Sequence, residues 1–183
     1  MDGMSRPPHA REKVLDAFEA LLIDEGDRAA TLDAVAGAAG VSKGGLLYHF
    51  GSKDELERGL IARLIALAEA DAAIGRAAPE GPIAYYLRTS GESGGPLDRA
   101  IVAVSRLAHG GHAAASAALR DVRARWAEML RPATRDATTL ELVMLVGDGL
   151  YLNAALTGGV PGDVPTGPDL DALIALVERT AHD

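Results

Sequence analysis

The chain has 183 residues, of which 26 are Asp or Glu and 18 are Lys or Arg, giving a formal charge of −8 at pH 7. That length allows one large domain or two small ones with a real core, and the acidic balance argues against a protein that coats nucleic acid in bulk. With no cysteine there are no disulfides and no thiolate metal sites, which fits a cytoplasmic protein; no run approaches the roughly 18 apolar residues of a membrane span, and no signal-peptide pattern precedes the first helix.

The apolar share is 48%, much of it alanine, while aromatics are only 4%. Such a sequence favours closely packed helices over a sheet, so the expected class is all-α. Residues 1–8 carry two prolines and no periodicity, and read as a mobile arm with Arg6 as a solvated charge. A first helix is predicted from about His9 to Glu25. Val14, Leu15, Phe18, Leu21 and Leu22 fall on one stripe, and Gly26 stops it.

Thr31 is a candidate N-cap, followed at helical spacing by Leu32, Val35 and Ala36. Ala39-Gly40 ends that helix, because glycine tolerates the left-handed conformation that closes it. Val41 plugs the turn and Ser42 is a second N-cap. Leu46, Leu47 and Phe50 supply the inner face of the next short helix, and Gly51 stops it. Ser52 caps a further helix, with Glu55 at the reciprocal position of a capping box. Two short helices across a glycine turn form a helix-turn-helix.

Charge supports that reading. No acidic residue lies between Asp33 and Asp54, whereas Ser42, Lys43, Tyr48, His49 and Lys53 do, including two of the chain's three lysines. A surface that meets phosphates must not repel them. Residues 1–60 as a whole carry 7 basic and 11 acidic side chains, so DNA binding would come from local arrangement and be salt-sensitive.

The run Gly40-Val41-Ser42-Lys43-Gly44-Gly45-Leu46-Leu47-Tyr48-His49-Phe50, with Thr31 upstream and Ser52-Lys53 after it, resembles the DNA-binding signature of the TetR family of transcriptional regulators. The resemblance implies a homodimer with a three-helix N-terminal DNA-binding domain. It also implies a larger helical C-terminal domain, usually holding a small ligand that releases the DNA. Leu47 stands where the family usually has tyrosine, with Tyr48 following it.

In a helix-turn-helix the first residues of the second helix meet the base edges in the major groove. Here those are Ser42, Lys43, Gly44 and Gly45. Lys43 can donate to guanine O6 or N7, and the two glycines let the backbone approach the bases. Tyr48 can reach a phosphate or a thymine methyl. His49 and Lys53 fit phosphate contacts, as do the Thr31 hydroxyl and the amides it caps. Asp33 stands near a base-reading position, but phosphate would repel a carboxylate, so it is left out of the site.

A fourth helix is predicted from Ser52 to about Gly75, with Leu56, Leu60, Ile61, Leu64 and Leu67 as its stripe, long enough to bridge two domains. Pro82 opens a fifth with Ile83, Tyr86 and Leu87, and Pro96 a sixth to about Ala108. His109-Gly110-Gly111-His112 is a turn before a seventh helix carrying Leu119, Val122, Trp126 and Met129. Asp136 or Thr138 starts an eighth through about Leu156; it is apolar almost all round over Leu140–Val146 and is expected to be buried on both sides. Residues 158–168 form a loop, and Asp169 caps the last helix. Leu140, Val143, Gly147 and Leu150, with Leu170, Leu173, Ile174 and Val177, are expected to form a two-fold four-helix dimer interface.

A ligand pocket is expected among helices four to eight, lined by Tyr85, Tyr86, Trp126, Met129, Met144, Asp148, Tyr151 and Asn153. Asp148, between two glycines in an apolar helix, needs a partner: Arg123, the other subunit or a ligand amine. Gly91-Glu92-Ser93-Gly94-Gly95 matches the G-x-S-x-G elbow of hydrolases, but that elbow follows a buried strand and no strand pattern exists here. His109 and His112 have no third metal ligand at local spacing, and no nucleotide-binding fingerprint occurs. The sequence thus reads as a DNA-binding domain over residues 1–51 and a ligand-binding and dimerisation domain over 52–183, with no enzyme activity, cofactor or metal. The resemblance implies a ligand-responsive regulator, most often a repressor in such families, on a palindromic operator. The alternatives are a Ser93 hydrolase or a helical module that no longer reads DNA.

Overall fold

The computed structural model describes residues 7–157 and 164–182; Arg6 and the expected arm, and residues 158–163 of the expected loop, lie outside them. Among the described residues all regular structure is helical: α1 (Pro7–Asp24), α2 (Leu32–Ala39), α3 (Lys43–His49), α4 (Lys53–Ala77), α5 (Pro82–Ser90), α6 (Pro96–His109), α7 (Ala113–Leu130), a 3-10 turn (Arg131–Ala133), α8 (Ala137–Thr157) and α9 (Gly167–His182). The all-α class and the helix-turn-helix followed by a helical C-terminal portion are as expected. Helix α1 starts two residues earlier than predicted, because proline is tolerated in a first turn. Helix α9 begins at Gly167, so Asp169 sits in its first turn and is not its cap.

The chain packs as two compact units. One holds residues through Leu67 together with Pro96–Arg120; the other holds Ala68–Gly95 and everything from Asp121. The packing boundary therefore does not follow the chain at Gly51: α6 belongs with the N-terminal helices, and α4 and α7 each run from one unit into the other.

In the first unit Val14, Leu15, Phe18 and Leu22 of α1 share a core with Val35 and Ala36 of α2, Leu46 of α3 and Phe50. Leu56, Leu60 and Leu64 of α4 and Ala103, Val104 and Leu107 of α6 are buried with them. Gly59 permits a close crossing, since a Cβ there would lie 2.9 Å from the Phe50 ring and 3.1 Å from Leu15. Leu47 departs from its predicted inner-face role and is 39% exposed. Glu19 is a buried carboxylate, held by Arg99 Nε at 2.9 Å and Arg63 at 3.5 Å; Arg63 also pairs with Glu12 and Asp16 at 2.7 and 2.8 Å.

The second unit is built around α5, α8 and α9. Ile83, Ala84, Tyr86 and Leu87 of α5 pack with Leu130, Leu140, Val143, Met144 and Leu150, and with Ile174, Val177 and Ala181 of α9. Asp136 caps α8: it accepts from the Thr139 amide at 2.8 Å, and its own amide donates to Thr139 Oγ1 at 3.2 Å. That reciprocal pair holds the Asp136 carboxyl below the usual range, chiefly through the Thr139 amide. Contrary to the expectation that no run approaches a span, Ala137–Leu156 is by length and composition long and apolar enough to cross a membrane. The segment carries Glu141 and Asp148, and its inner stripe is core.

Helix α8 is not buried on both sides, contrary to expectation. Leu142, Leu145, Leu152 and Leu156 are 40, 56, 57 and 75% exposed, as is Leu176 of α9 at 53%. The expected dimer residues Leu140, Val143, Gly147, Leu150, Ile174 and Val177 are instead buried within the chain. A fully covered side chain has no surface to give a partner. Leu170 and Leu173 are half-buried against the same core.

Candidate DNA-binding site and effector unit

The helix-turn-helix is assembled by its caps. Thr31 Oγ1 accepts from the Ala34 amide at 3.2 Å, and Ser42 Oγ accepts from the Gly45 amide at 3.0 Å. Each satisfies one of the four amides left free at a helix start. Between the helices Gly40 adopts φ 67°, and its amide closes α2 on Ala36 and Gly37. That left-handed conformation is cheap only for glycine, which fixes the turn. At the start of α4, Ser52 Oγ accepts from the Glu55 amide at 3.2 Å. Glu55 reaches back to the Gly51 amide at 2.7 Å, one residue before the expected position.

These caps leave α3 with Leu46 inward and the rest outward. Thr31, Ser42, Lys43 and Gly44 are exposed, Gly45 and His49 half-exposed, and Tyr48 is 83% exposed. The Tyr48 and His49 rings meet edge-on, centroids 5.2 Å apart. An aromatic side chain that open on a short helix gains nothing from the fold of its own unit.

Two lysines are differently disposed from what sequence implied. Lys43 pairs with Asp33, Nζ lying 3.0 Å from each carboxylate oxygen. Asp33 is therefore part of the site's electrostatics, a role hidden in sequence because the two are ten residues apart on different helices. The pair is exposed, so opening it costs less than about 1 kcal/mol, below the roughly 1–3 kcal/mol of a good base contact. Lys53, expected to be free for phosphate, donates to the Asp27 carbonyl oxygen at 2.8 Å and lies 2.7 Å from Asp27 Oδ1. Its ammonium is half-buried and committed inside the unit.

In the second unit two of the expected pocket residues, Tyr85 and Trp126, meet at Asp71. Tyr85 Oη donates to Asp71 Oδ1 at 2.7 Å, and Trp126 Nε1 donates to Oδ2 at 2.8 Å. Burial and the Asp71 charge push the Tyr85 hydroxyl well above its ordinary range, and burial with Asp148 does the same for Tyr86. The Tyr86 and Trp126 rings lie 6.0 Å apart. Tyr86, Met129 and Met144 are core residues, and Met129 and Tyr85 press on Gly75. Tyr85, Trp126, Asp148 and Tyr151 are half-buried and Asn153 is exposed. Asn153 donates to the Gly149 carbonyl at 2.7 Å.

Asp148 is not the buried carboxylate predicted: it is 45% exposed, and Arg123 Nη2 donates to it at 3.1 Å and to Glu141 at 3.2 Å. Of the partners considered for it, Arg123 is present. A cavity of about 730 Å3 lies elsewhere, in the first unit, over Leu15, Gly59 and Ala62 with Arg63 and Arg99 at its rim. Ser93 is exposed in the loop after α5, so it follows a helix and not the strand a nucleophile elbow needs.

A capped helix-turn-helix presenting an acid-free second helix, followed by a helical unit, defines the class: a DNA-binding regulator of transcription. The family description "Bacterial regulatory proteins, tetR family" matches residues 14–58, and "Tetracyclin repressor-like, C-terminal domain" matches residues 80–178. The chain belongs to the TetR family.

Comparison with the curated proteins finds no match. Among solved structures, a TetR-family member from Streptomyces coelicolor is 26% identical over 95% of this chain and 99% of its own, with TM-score 0.64. The multidrug binding protein EbrR, complexed with malachite green, is 27% identical over 94% of this chain and 98% of its own, with TM-score 0.63. Salmonella enterica GusR, 15% identical over the whole of both chains, shares the fold with TM-score 0.72.

Proposed function

We propose that the chain acts as a homodimer that represses transcription from a palindromic operator and is released by a small organic ligand. The observation that carries this is α3: Lys43 and Tyr48 stand exposed on a helix opened by two glycines, with no acidic residue of its own. Base readout falls to Ser42, Lys43, Gly44 and Gly45, and backbone contact to Tyr48, His49 and the capped amides at Thr31. Lys53 contributes only after leaving Asp27. The setting for such an activity is the cytoplasm, where operator DNA lies.

The dimer face is the outer stripe of α8, Leu142, Leu145, Gly149, Leu152 and Leu156, with Leu176 of α9. Its alternate spacing of three and four residues is that of a helix-packing seam. Contiguous exposed leucine of this kind marks a partner surface. The ligand reading rests on the EbrR structures, solved with imidazole, ethidium and malachite green. Tyr85 and Trp126 at Asp71, with Tyr86 beside Trp126 and with Met129, Met144, Asp148, Tyr151 and Asn153 elsewhere in the same unit, are where this chain offers comparable chemistry.

A gel-shift titration with DNA from upstream of the chain's own gene and its neighbours, at two salt concentrations, tests the proposal. A specific complex that weakens steeply with salt is the expected outcome. Equal affinity for operator and random duplex overturns it.

A further inference from the structure

In the sequence His109 and His112 have no further metal ligand at local spacing. The fold supplies two from elsewhere. Asp27, in the connection between α1 and α2, and Glu57, in the second turn of α4, converge on the imidazole at the α6–α7 turn. His112 Nδ1 lies 3.2 Å from Glu57 Oε2, and Nε2 lies 3.8 Å from Asp27 Oδ2. All three residues belong to the first unit. At this turn Gly111 takes φ 93°, and Gly110 passes in ordinary contact distance of Asp27, a Cβ there lying 3.6 Å from Oδ2.

The geometry points to a divalent-metal site, for an ion of the Zn2+ type, with Asp27, Glu57 and His112 as its protein ligands. One donor atom from each residue places all three within 4.8 Å of one another. A tetrahedral ion with bonds of about 2.0–2.2 Å sets its donors about 3.3–3.6 Å apart, so the side chains draw together by up to about 1.5 Å to close the set. The donors are mixed imidazole and carboxylate, which suits first-row divalent ions over Ca2+ or Mg2+.

The surroundings are those of a ligand shell. The Asp27 oxygen that does not face His112, Oδ1, is shut off from solvent and 2.7 Å from the Lys53 ammonium, off hydrogen-bond angle. An ammonium on the far oxygen of a ligating carboxylate is the kind of outer partner that orients it. Glu57 is buried, and that burial raises its carboxyl above the usual value, with His112 and Lys53 pulling it back. Two carboxylates and one ammonium leave the cluster at −1 while the imidazole is neutral. A divalent ion supplies the missing positive charge and fastens the α1–α2 connection, α4 and the α6–α7 turn to one point.

The test uses the full chain, untagged, stripped with chelator and titrated with ZnCl2 in the absence of DNA, so its outcome is independent of the regulator reading. Calorimetry should find one saturable Zn2+ per chain, and the melting temperature should rise with the ion. His112→Gln and Glu57→Gln should each weaken binding by at least the 10–100-fold or so that even outer-shell partners are worth. His109→Gln, whose ring is tied to the Ser105 carbonyl at 2.7 Å, should leave it unchanged. Co2+ bound to the unaltered chain gives a second readout that needs no variant, through saturable visible bands. Zn2+ binding that survives both His112→Gln and Glu57→Gln, or no saturable Co2+ spectrum, overturns the site. So does a Zn2+ titration that leaves the melting temperature unmoved.

Discussion

Gly147 and Gly149 lie two residues apart in α8, and alanine at each should move stability in opposite directions. A Cβ at Gly147 would stand 2.7 Å from Tyr86 Cζ and 2.8 Å from Tyr86 Oη, with another ring carbon nearer still. Tyr86 is buried in the α5–α8 core, so its ring has nowhere to swing. Replacing glycine in a helix interior gains about 0.8–1 kcal/mol of propensity, while overpacking costs about 1–3 kcal/mol. With a rigid aromatic as the neighbour the upper half of that range applies, and Gly147→Ala should lose about 1–2 kcal/mol net. At Gly149 nothing lies within 4 Å, so the propensity gain stands unopposed and Gly149→Ala should gain about 1 kcal/mol within the protomer. Urea unfolding followed by circular dichroism and Trp126 fluorescence measures both. Measurements should be extrapolated to low protein concentration, where association adds least. A Gly147→Ala chain as stable as its parent would refute the packing argument, because Tyr86 would then have had room to yield.

Lys43→Ala should weaken specific operator binding by about 1–3 kcal/mol, while Asp33→Asn should raise affinity for any duplex and lower discrimination; unchanged binding in both would remove α3 from the groove. Gly44→Ala separates fold from function: with nothing within 4 Å of its Cβ it should stabilise the chain by up to about 1 kcal/mol yet weaken operator binding, and equal binding in a gel shift would mean the backbone does not approach the bases. Leu145→Lys with Leu152→Lys should give a folded monomer by light scattering, and a persistent dimer would place the interface elsewhere. Asp136 has its folded pKa lowered, so its contribution is present above the unfolded value near 3.8 and fades as pH falls through the folded one. Asp136→Asn should flatten that acid limb in a melting-temperature series, and an unaltered limb would assign it to other carboxylates.

Local chemistry made much of the chain legible in advance. Thr31, Gly40, Ser42 and Ser52 define where short helices begin and stop through bonds made within three or four residues. Such bonds do not depend on what packs against them, which is why the helix-turn-helix and its exposed Lys43 and Tyr48 could be placed from sequence. Periodicity served equally well where one face was apolar, as in α1 and α4.

Tertiary structure decided whatever needed two distant segments to meet. Helix α8 carries two leucine-rich stripes at the same three-and-four spacing, and a helix apolar on both sides has no preferred inward face of its own. Packing against α5 and α9, with Gly147 close against Tyr86, goes with Leu140, Val143 and Leu150 inward and Leu142, Leu145, Leu152 and Leu156 at the surface. The same holds for charge: Asp33 on Lys43, Asp27 on Lys53, Arg123 on Asp148, and Asp27 with Glu57 around His112 join groups 10 to 85 positions apart, partnerships settled by folding and invisible to spacing.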